Sequence, residues 1–99
     1  MRWKQIRDTV VSTSAQGYIG CAAAIQNFDY RPRLPSLNKP TLIVCGADDP
    51  GAPPAESKHI ASLLPDGRYE AIPDAKHLPN VERPELFNPL MLAWLEKNK

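Results

Sequence analysis

The fold is decided by one stretch of sequence, Thr41-Leu42-Ile43-Val44-Cys45-Gly46-Ala47-Asp48-Asp49-Pro50-Gly51-Ala52-Pro53-Pro54. It opens with five mostly β-branched or aliphatic residues and no polar alternation, which is typical of a strand buried on both faces of a parallel sheet. The run ends at Gly46 in a loop of acids, glycine and prolines. Open α/β folds place their chemistry in such loops, at the carboxyl ends of the strands. Asp49, three residues beyond Gly46, is therefore the first candidate site residue.

The residues that follow this loop predict a βαβα unit. A helix is expected directly after the prolines that end the loop, because proline suits the first helical turn. Residues 68–72 alternate polar and apolar side chains and predict a second, more exposed strand, parallel to the first. A last helix is predicted from Pro84. Pro89 lies inside its apolar pattern, so either a continuous helix bends there, which we favour, or Asn88 caps a new helix.

The residues before the buried strand predict two helices and a connector. Residues 1–27 have apolar side chains at helical spacing, interrupted by a short polar run. Thr13 and Gln16 have the spacing of a capping box for the second helix. Prolines then recur from residue 27 to residue 40, which predicts an extended connector leading to the strand.

Length and composition restrict the class of protein. Ninety-nine residues suffice for a single small domain, taken as residues 1–99. Twelve basic and eleven acidic residues without a basic cluster argue against nucleic acid and against a membrane surface as partners. The apolar runs are too short for a membrane span or a secretory signal. Cys21 and Cys45 have apolar neighbours, so we expect two reduced, buried thiols in a cytoplasmic protein.

A second loop carries the other candidate site residue. The loop of residues 73–83 follows the second predicted strand and contains His77. Neighbouring strands lie about 4.8 Å apart, so the side chains of Asp49 and His77 are expected to meet. A carboxylate on one ring nitrogen fixes the imidazole tautomer and leaves the other nitrogen free to accept a proton from a nucleophile. Taken alone, Asp49 fits a turn or helix-cap residue better than a catalytic one, and Asp48 competes for its role, although the spacing to Gly46 and Pro53 favours Asp49.

Other polar residues have plainer interpretations. His59 falls on the polar side of the predicted helix and is expected to be solvated. Cys45 is expected to pack in the core. A zinc site made of Cys45, Asp49 and His77 would lack a fourth ligand, so neither a metal nor a cofactor is expected.

Five further side chains have two open interpretations each. Arg2, Arg7 and Lys76 would suit recognition of a carboxylated substrate, although surface charges of this kind are common. Trp3 and Tyr18 would line a substrate pocket or pack in the core.

At these two loops the sequence resembles the α/β-hydrolase family. The matching blocks are Pro40–Gly46 with Asp49 and Pro53, and Ala75–Asn80 with Glu82–Glu85. In that family the acid follows the seventh strand and the histidine follows the eighth, in the chain order nucleophile, acid, histidine. The resemblance therefore implies that Asp49 and His77 are the acid and the base of a catalytic triad. Lys76 departs from the family pattern, which usually has glycine before the histidine.

Within the family the chain is similar to 3-oxoadipate enol-lactonases of aromatic catabolism, through Gly17-Tyr18, Cys21–Ile25 and Asp29. This implies the C-terminal portion of an α/β-hydrolase fold, with residues 1–27 as lid-adjacent helices and residues 40–99 as the βαβα unit. The implied function is hydrolysis of a small ester or lactone, with or without a carboxylate, by a Ser-His-Asp triad. The alternatives are another chemistry of this fold (esterase, carbon–carbon bond hydrolase or haloperoxidase) or a non-catalytic binding or assembly module.

The nucleophile itself is not in this sequence. None of the 99 residues forms a Gly-x-Ser-x-Gly motif. We therefore expect the serine and the oxyanion hole to lie upstream of these residues, and the 99 residues alone to be inactive. One edge of the strand Thr41–Cys45 would then lack its partner, which predicts self-association or docking on a missing N-terminal piece.

Overall fold

The computed structural model describes residues 2–99. Five α-helices, one 3₁₀-helix and two strands follow one another in the described part. In chain order they are α1 (Arg2–Ser12), α2 (Ala15–Ile25), a 3₁₀-helix (Arg31–Ser36), β1 (Thr41–Gly46), α3 (Pro54–Leu63), β2 (Gly67–Ile72), α4 (Pro79–Glu82) and α5 (Pro84–Lys97). Among residues 2–99, no helix is both long and apolar enough to cross a membrane. The chain forms two compact units that meet in sequence between Tyr30 and Arg31.

The first unit contains α1 and α2, and the break between them differs by one residue from the prediction. Ser14 is the N-cap of α2, and its hydroxyl accepts the backbone N–H of Gly17 at 2.9 Å. The capping box predicted at Thr13 is wrong, because the hydroxyl of Thr13 instead donates to the carbonyl of Thr9 at 2.9 Å. The hydroxyl of Thr13 thus bonds back to the last turn of α1, and the residue that caps α2 is Ser14, one position later.

Nearly all side chains of the first unit are exposed. The prediction that Cys21 is buried is wrong, since this residue is exposed. Trp3 and Tyr18 are exposed as well, at 60% and 72% of their surface. Apolar neighbours in sequence do not bury a thiol when two helices of eleven residues each have no core of their own.

The second unit contains the sheet that the sequence predicts. β1 and β2 pair in parallel, with Thr41 opposite Gly67 and Gly46 opposite Ile72. Helix α3 connects the strands and packs against both of them. β2 is exposed at its start and buried only at its end, whereas β1 is at least half-buried throughout. The predicted crossover helix and the more exposed, parallel second strand are confirmed, whereas only Cys45 and Gly46 of the first strand are fully buried.

Two connecting segments contain short helices, and the last helix continues through a proline. The connector contains the 3₁₀-helix Arg31–Ser36, which contacts α3, where the sequence predicted only extended chain. The loop of residues 73–83 contains the short helix α4, which was not predicted. Helix α5 runs through Pro89 without a new start, as favoured.

The core of the second unit lies directly under the carboxyl ends of the strands. Its buried apolar residues are Cys45, Leu64, Ile72 and Ala75. Three of these lie at the end of a strand or in the loop that follows it. The most buried part of the unit therefore supports the two loops in which Asp49 and His77 lie.

Candidate active site

Asp49 is held by the loop that follows β1. Only 7% of its surface is exposed, and it is the one buried charged residue among the described residues. Its Oδ1 accepts the backbone N–H groups of Gly51 and Ala52 at 2.9 and 3.1 Å. Aspartate side chains commonly make such bonds in turns, so Oδ1 has the turn role that Asp49 would have if taken alone. The second oxygen is left pointing at another loop.

That second oxygen contacts His77. Oδ2 of Asp49 lies 2.9 Å from Nδ1 of His77, across 28 residues of sequence. Gly46 and Ile72, the last residues of the two strands, lie opposite each other in the parallel register. The two loops therefore leave the sheet at the same edge, as predicted. The side chain of His77 is 76% exposed, so its ring is accessible to solvent while one nitrogen is engaged by Asp49.

The hydrogen bonds also set the charge of the acid. The hydrogen bond from His77 lowers the pKa of Asp49 below its ordinary value of 3.8, and the backbone N–H groups of Ala52 and Gly51 lower this pKa further. Burial opposes them but does not outweigh them. Asp49 is therefore a carboxylate at neutral pH, the form that accepts a proton-bearing Nδ1 and stabilises a charged imidazole.

The two loops are fixed to each other through backbone groups. The backbone N–H of Asp48 donates to the carbonyl of Ala75 at 2.9 Å. Ala75 is 1% exposed, so this bond is shielded from water. A Cβ built on Gly46 would lie 2.0 Å from the carbonyl oxygen of Lys76. Only glycine lets the histidine loop pass this close to the end of β1, and this is the requirement at position 46.

The other sequence candidates do not join this pair. The side chain of Asp48 is exposed, and so is that of His59. Cys45 is buried, and its thiol donates to the hydroxyl of Tyr69 at 3.5 Å. Within residues 2–99, no three His, Cys, Asp or Glu side chains are arranged to hold a metal ion.

The cationic candidates lie in different parts of the chain. Lys76 is exposed, next to His77 in sequence. Arg7, in the first unit, lies 3.8 Å from the carboxylate of Asp8. Arg2 lies in α1 of the same unit.

Glu82 is a further residue of this site, for which the sequence analysis predicts no role. Oε2 of Glu82 accepts the backbone N–H groups of Lys76 and Leu78, both at 3.0 Å. The sequence signal for this contact is Pro79 at the start of α4, followed by Glu82 in the same turn. Such an acid often reaches back to the N–H groups that begin the helix.

Comparison with known proteins shows the family to which this chain belongs. The sequence profile of proteins with the α/β-hydrolase fold matches residues 2–84. The chain belongs to the α/β-hydrolase family. Its parallel strands and intervening helices form part of that fold.

Relatives with named activities are also similar over most of this chain. The 3-oxoadipate enol-lactonase 2 of Acinetobacter baylyi is 32% identical over 84 residues, which cover 85% of this chain and 31% of the lactonase. The crystal structure of the enol-lactonase from Burkholderia xenovorans LB400 is 33% identical, with a TM-score of 0.89 over 94% of this chain and 35% of that one. A thermophilic esterase from Thermogutta terrifontis is 38% identical, with a TM-score of 0.69 over 73% of this chain and 26% of the esterase. The chain thus spans about a third of the length of the lactonases it matches.

Proposed function

We propose that this chain supplies the acid and the base of a Ser-His-Asp triad that hydrolyses a small ester or lactone. The observation that carries the proposal is the 2.9 Å contact between Oδ2 of Asp49 and Nδ1 of His77 at the common edge of two parallel strands. A buried, backbone-anchored carboxylate facing an exposed imidazole is the arrangement that a triad requires of its acid and base. The serine belongs to a segment outside these 99 residues.

The proton follows one path through the pair. Nε2 of His77 takes the proton of the serine hydroxyl as the serine oxygen attacks the carbonyl carbon. Asp49 stabilises the resulting imidazolium through Nδ1 and stays ionised. His77 then returns the proton to the leaving alkoxide oxygen, which completes acylation. Water repeats the sequence on the acyl-enzyme, with His77 first as general base and then as general acid.

The relatives and one side chain support the proposed substrate class. Two enol-lactonases and one esterase are among the similar proteins, and both reactions cleave an acyl–oxygen bond. Lys76 presents an exposed ammonium group beside His77 in sequence, which suits a substrate that carries a carboxylate. We therefore propose an activity like that of 3-oxoadipate enol-lactonase, with residues 1–27 as lid-adjacent helices.

A segment replacement tests the proposal. The matched segment of the Acinetobacter lactonase is replaced by this chain, and hydrolysis of 4-nitrophenyl acetate and of 3-oxoadipate enol-lactone is measured. His77→Ala is expected to lower kcat by at least about 10³-fold, because no other group takes the serine proton. His59→Ala removes the other histidine, which is exposed on α3, and is expected to leave kcat unchanged.

Two outcomes would contradict the proposal. Near-normal turnover in the His77→Ala hybrid would mean that a different group is the base. A folded hybrid with intact Asp49 and His77 but no hydrolysis of either substrate would favour the non-catalytic module. Hydrolysis of the ester but not of the lactone would keep the triad and replace lactonase by esterase.

A further inference from the structure

Glu82 lies across the loop that carries His77. A single carboxylate oxygen, Oε2, accepts the N–H of Lys76 and the N–H of Leu78, each at 3.0 Å. These are the residues immediately before and after His77. The carboxylate thus fixes the peptide groups on both sides of the histidine without touching its ring.

The segment around Glu82 makes a second contact with the same loop. Arg83 donates from Nε to the carbonyl of Asp74 at 3.1 Å. Asp74 is the one described residue other than glycine with a positive φ, at 53°, and this marks the reversal at which the chain turns from β2 toward His77. Arg83 therefore holds the loop at the reversal, and Glu82 holds it beyond the reversal, on both sides of His77.

His77 needs this support because its own side chain has little. The ring is 76% exposed, and the hydrogen bond to Asp49 is the contact that aims it. An exposed ring on a mobile loop would exchange that contact for water, since rotamer freedom favours the open state. The backbone on either side of position 77 must therefore be fixed for the ring to stay on Asp49.

We propose that Glu82 is a positioning residue for His77, acting through the backbone N–H groups of Lys76 and Leu78. This inference rests on the proposed function, in which the aimed imidazole is the base. Hydrogen bonds to an ionised acceptor are about twice as strong as neutral ones, so a carboxylate is well suited to hold two amides at once. Asp49 aims the ring directly, and Glu82 aims the loop that carries the ring.

The test uses NMR of this chain and compares three substitutions at position 82 with a matched control. Glu82→Ala removes both hydrogen bonds. Glu82→Asp keeps the charge but withdraws the oxygens by one carbon–carbon bond, about 1.5 Å, so that one oxygen no longer reaches both amides. Glu82→Gln keeps an oxygen at the original distance without the charge. Glu96→Gln, on the exposed end of α5, removes a charge elsewhere.

The readouts are amide exchange at Lys76 and Leu78 and the ring ¹⁵N signals of His77. In Glu82→Ala and Glu82→Asp, exchange at both amides is expected to rise at least about tenfold, because a hydrogen bond to a charged group is lost. The ring signals of His77 are expected to lose the signature of a protonated Nδ1 bonded to Asp49. Glu82→Gln and Glu96→Gln are expected to keep that signature.

Several results would overturn the inference. One is a folded Glu82→Ala chain whose two amides and His77 ring match the parent. If Glu82→Ala unfolds, the other two variants decide. If Glu82→Asp loses the signature of the protonated Nδ1 while Glu82→Gln keeps it, positioning through the reach of the side chain is supported. If both variants keep the signature, or both lose it, the inference is overturned.

A kinetic measurement separates this inference from the proposed function. In the lactonase hybrid, Glu82→Asp is expected to lower kcat by about 10²-fold with KM nearly unchanged, the effect of a misplaced catalytic group. Normal kcat in Glu82→Asp alongside a large loss in His77→Ala would refute the role of Glu82 and leave the triad standing. Normal kcat in both would refute the triad, while the NMR result would still report on the loop.

Discussion

Gly46→Ala tests how closely the loops that carry Asp49 and His77 must approach each other. A Cβ at this position would lie 2.0 Å from the carbonyl oxygen of Lys76 and 2.4 Å from that of Ala75. Both obstacles are backbone atoms, so no side-chain rotation relieves the clash. The histidine loop must therefore move away from β1 by at least about 1 Å before the contact becomes tolerable.

The consequence follows from the distances at the site. The hydrogen bond between Asp49 and His77 is 2.9 Å long, and a further 1 Å along the line between them takes it beyond hydrogen-bonding range. The bond from the N–H of Asp48 to the carbonyl of Ala75, also 2.9 Å, is strained by the same movement. Overpacking of this kind costs about 1–3 kcal/mol in the free energy of unfolding.

Urea denaturation measures the stability change, and exchange of the Asp48 amide measures the opening of the loops. Gly20→Ala is the matched control, because a Cβ at Gly20 meets no atom within 4 Å and the residue lies inside α2. The control is expected to raise helix stability by up to about 1 kcal/mol. If Gly46→Ala kept both the free energy of unfolding and the exchange rate of the Asp48 amide of the parent, close packing of the two loops would be refuted.

Three more predictions concern the acid, the last helix and assembly. His77→Ala is expected to raise the pKa of Asp49 toward 3.8, which ¹³C NMR titration measures; no change would mean that the hydrogen bond is absent in solution. Because this pKa is lowered in the folded state, the carboxylate stabilises the fold above about pH 4, and this stabilisation is lost as the pH falls through the lowered pKa. The free energy of unfolding is therefore expected to depend more steeply on pH in the parent than in His77→Ala. Pro89→Ala restores a helix donor in α5 and is expected to stabilise by about 1–3 kcal/mol in urea denaturation, whereas a destabilised variant would show that the proline is required. The described sheet has two strands only, so β1 has an edge without a strand partner, and sedimentation is expected to find association that a dilution-resistant monomer would contradict.

The sequence predicts the sheet because its signals are local and strong. An apolar run ending at Gly46 and an alternating segment ending at Ile72 admit few arrangements other than parallel neighbours. The approach of Asp49 to His77 then follows from topology, without knowledge of any side chain. Even so, the register that brings their loops to one edge is visible only in the structure.

The residues that the sequence analysis does not place correctly have physical reasons for it. Burial of Cys21 was inferred from neighbours in sequence, but burial depends on what packs against a helix. Thr13 does not cap α2 because the helix begins one residue later, with Ser14 at the N-cap position. Glu82 was overlooked because its partners are backbone amides, which leave no trace in a pattern of side chains.

The central claim is that Asp49 holds His77 with a proton on Nδ1 and with Nε2 free to accept one. Ring ¹⁵N shifts of His77 test it directly, measured on the neutral imidazole with His59 as an internal reference in the same spectrum. We expect a protonated Nδ1 and an unprotonated Nε2 for His77, and loss of this preference in Asp49→Asn. A protonated Nε2 at His77, or ring signals that do not change in Asp49→Asn, would contradict it.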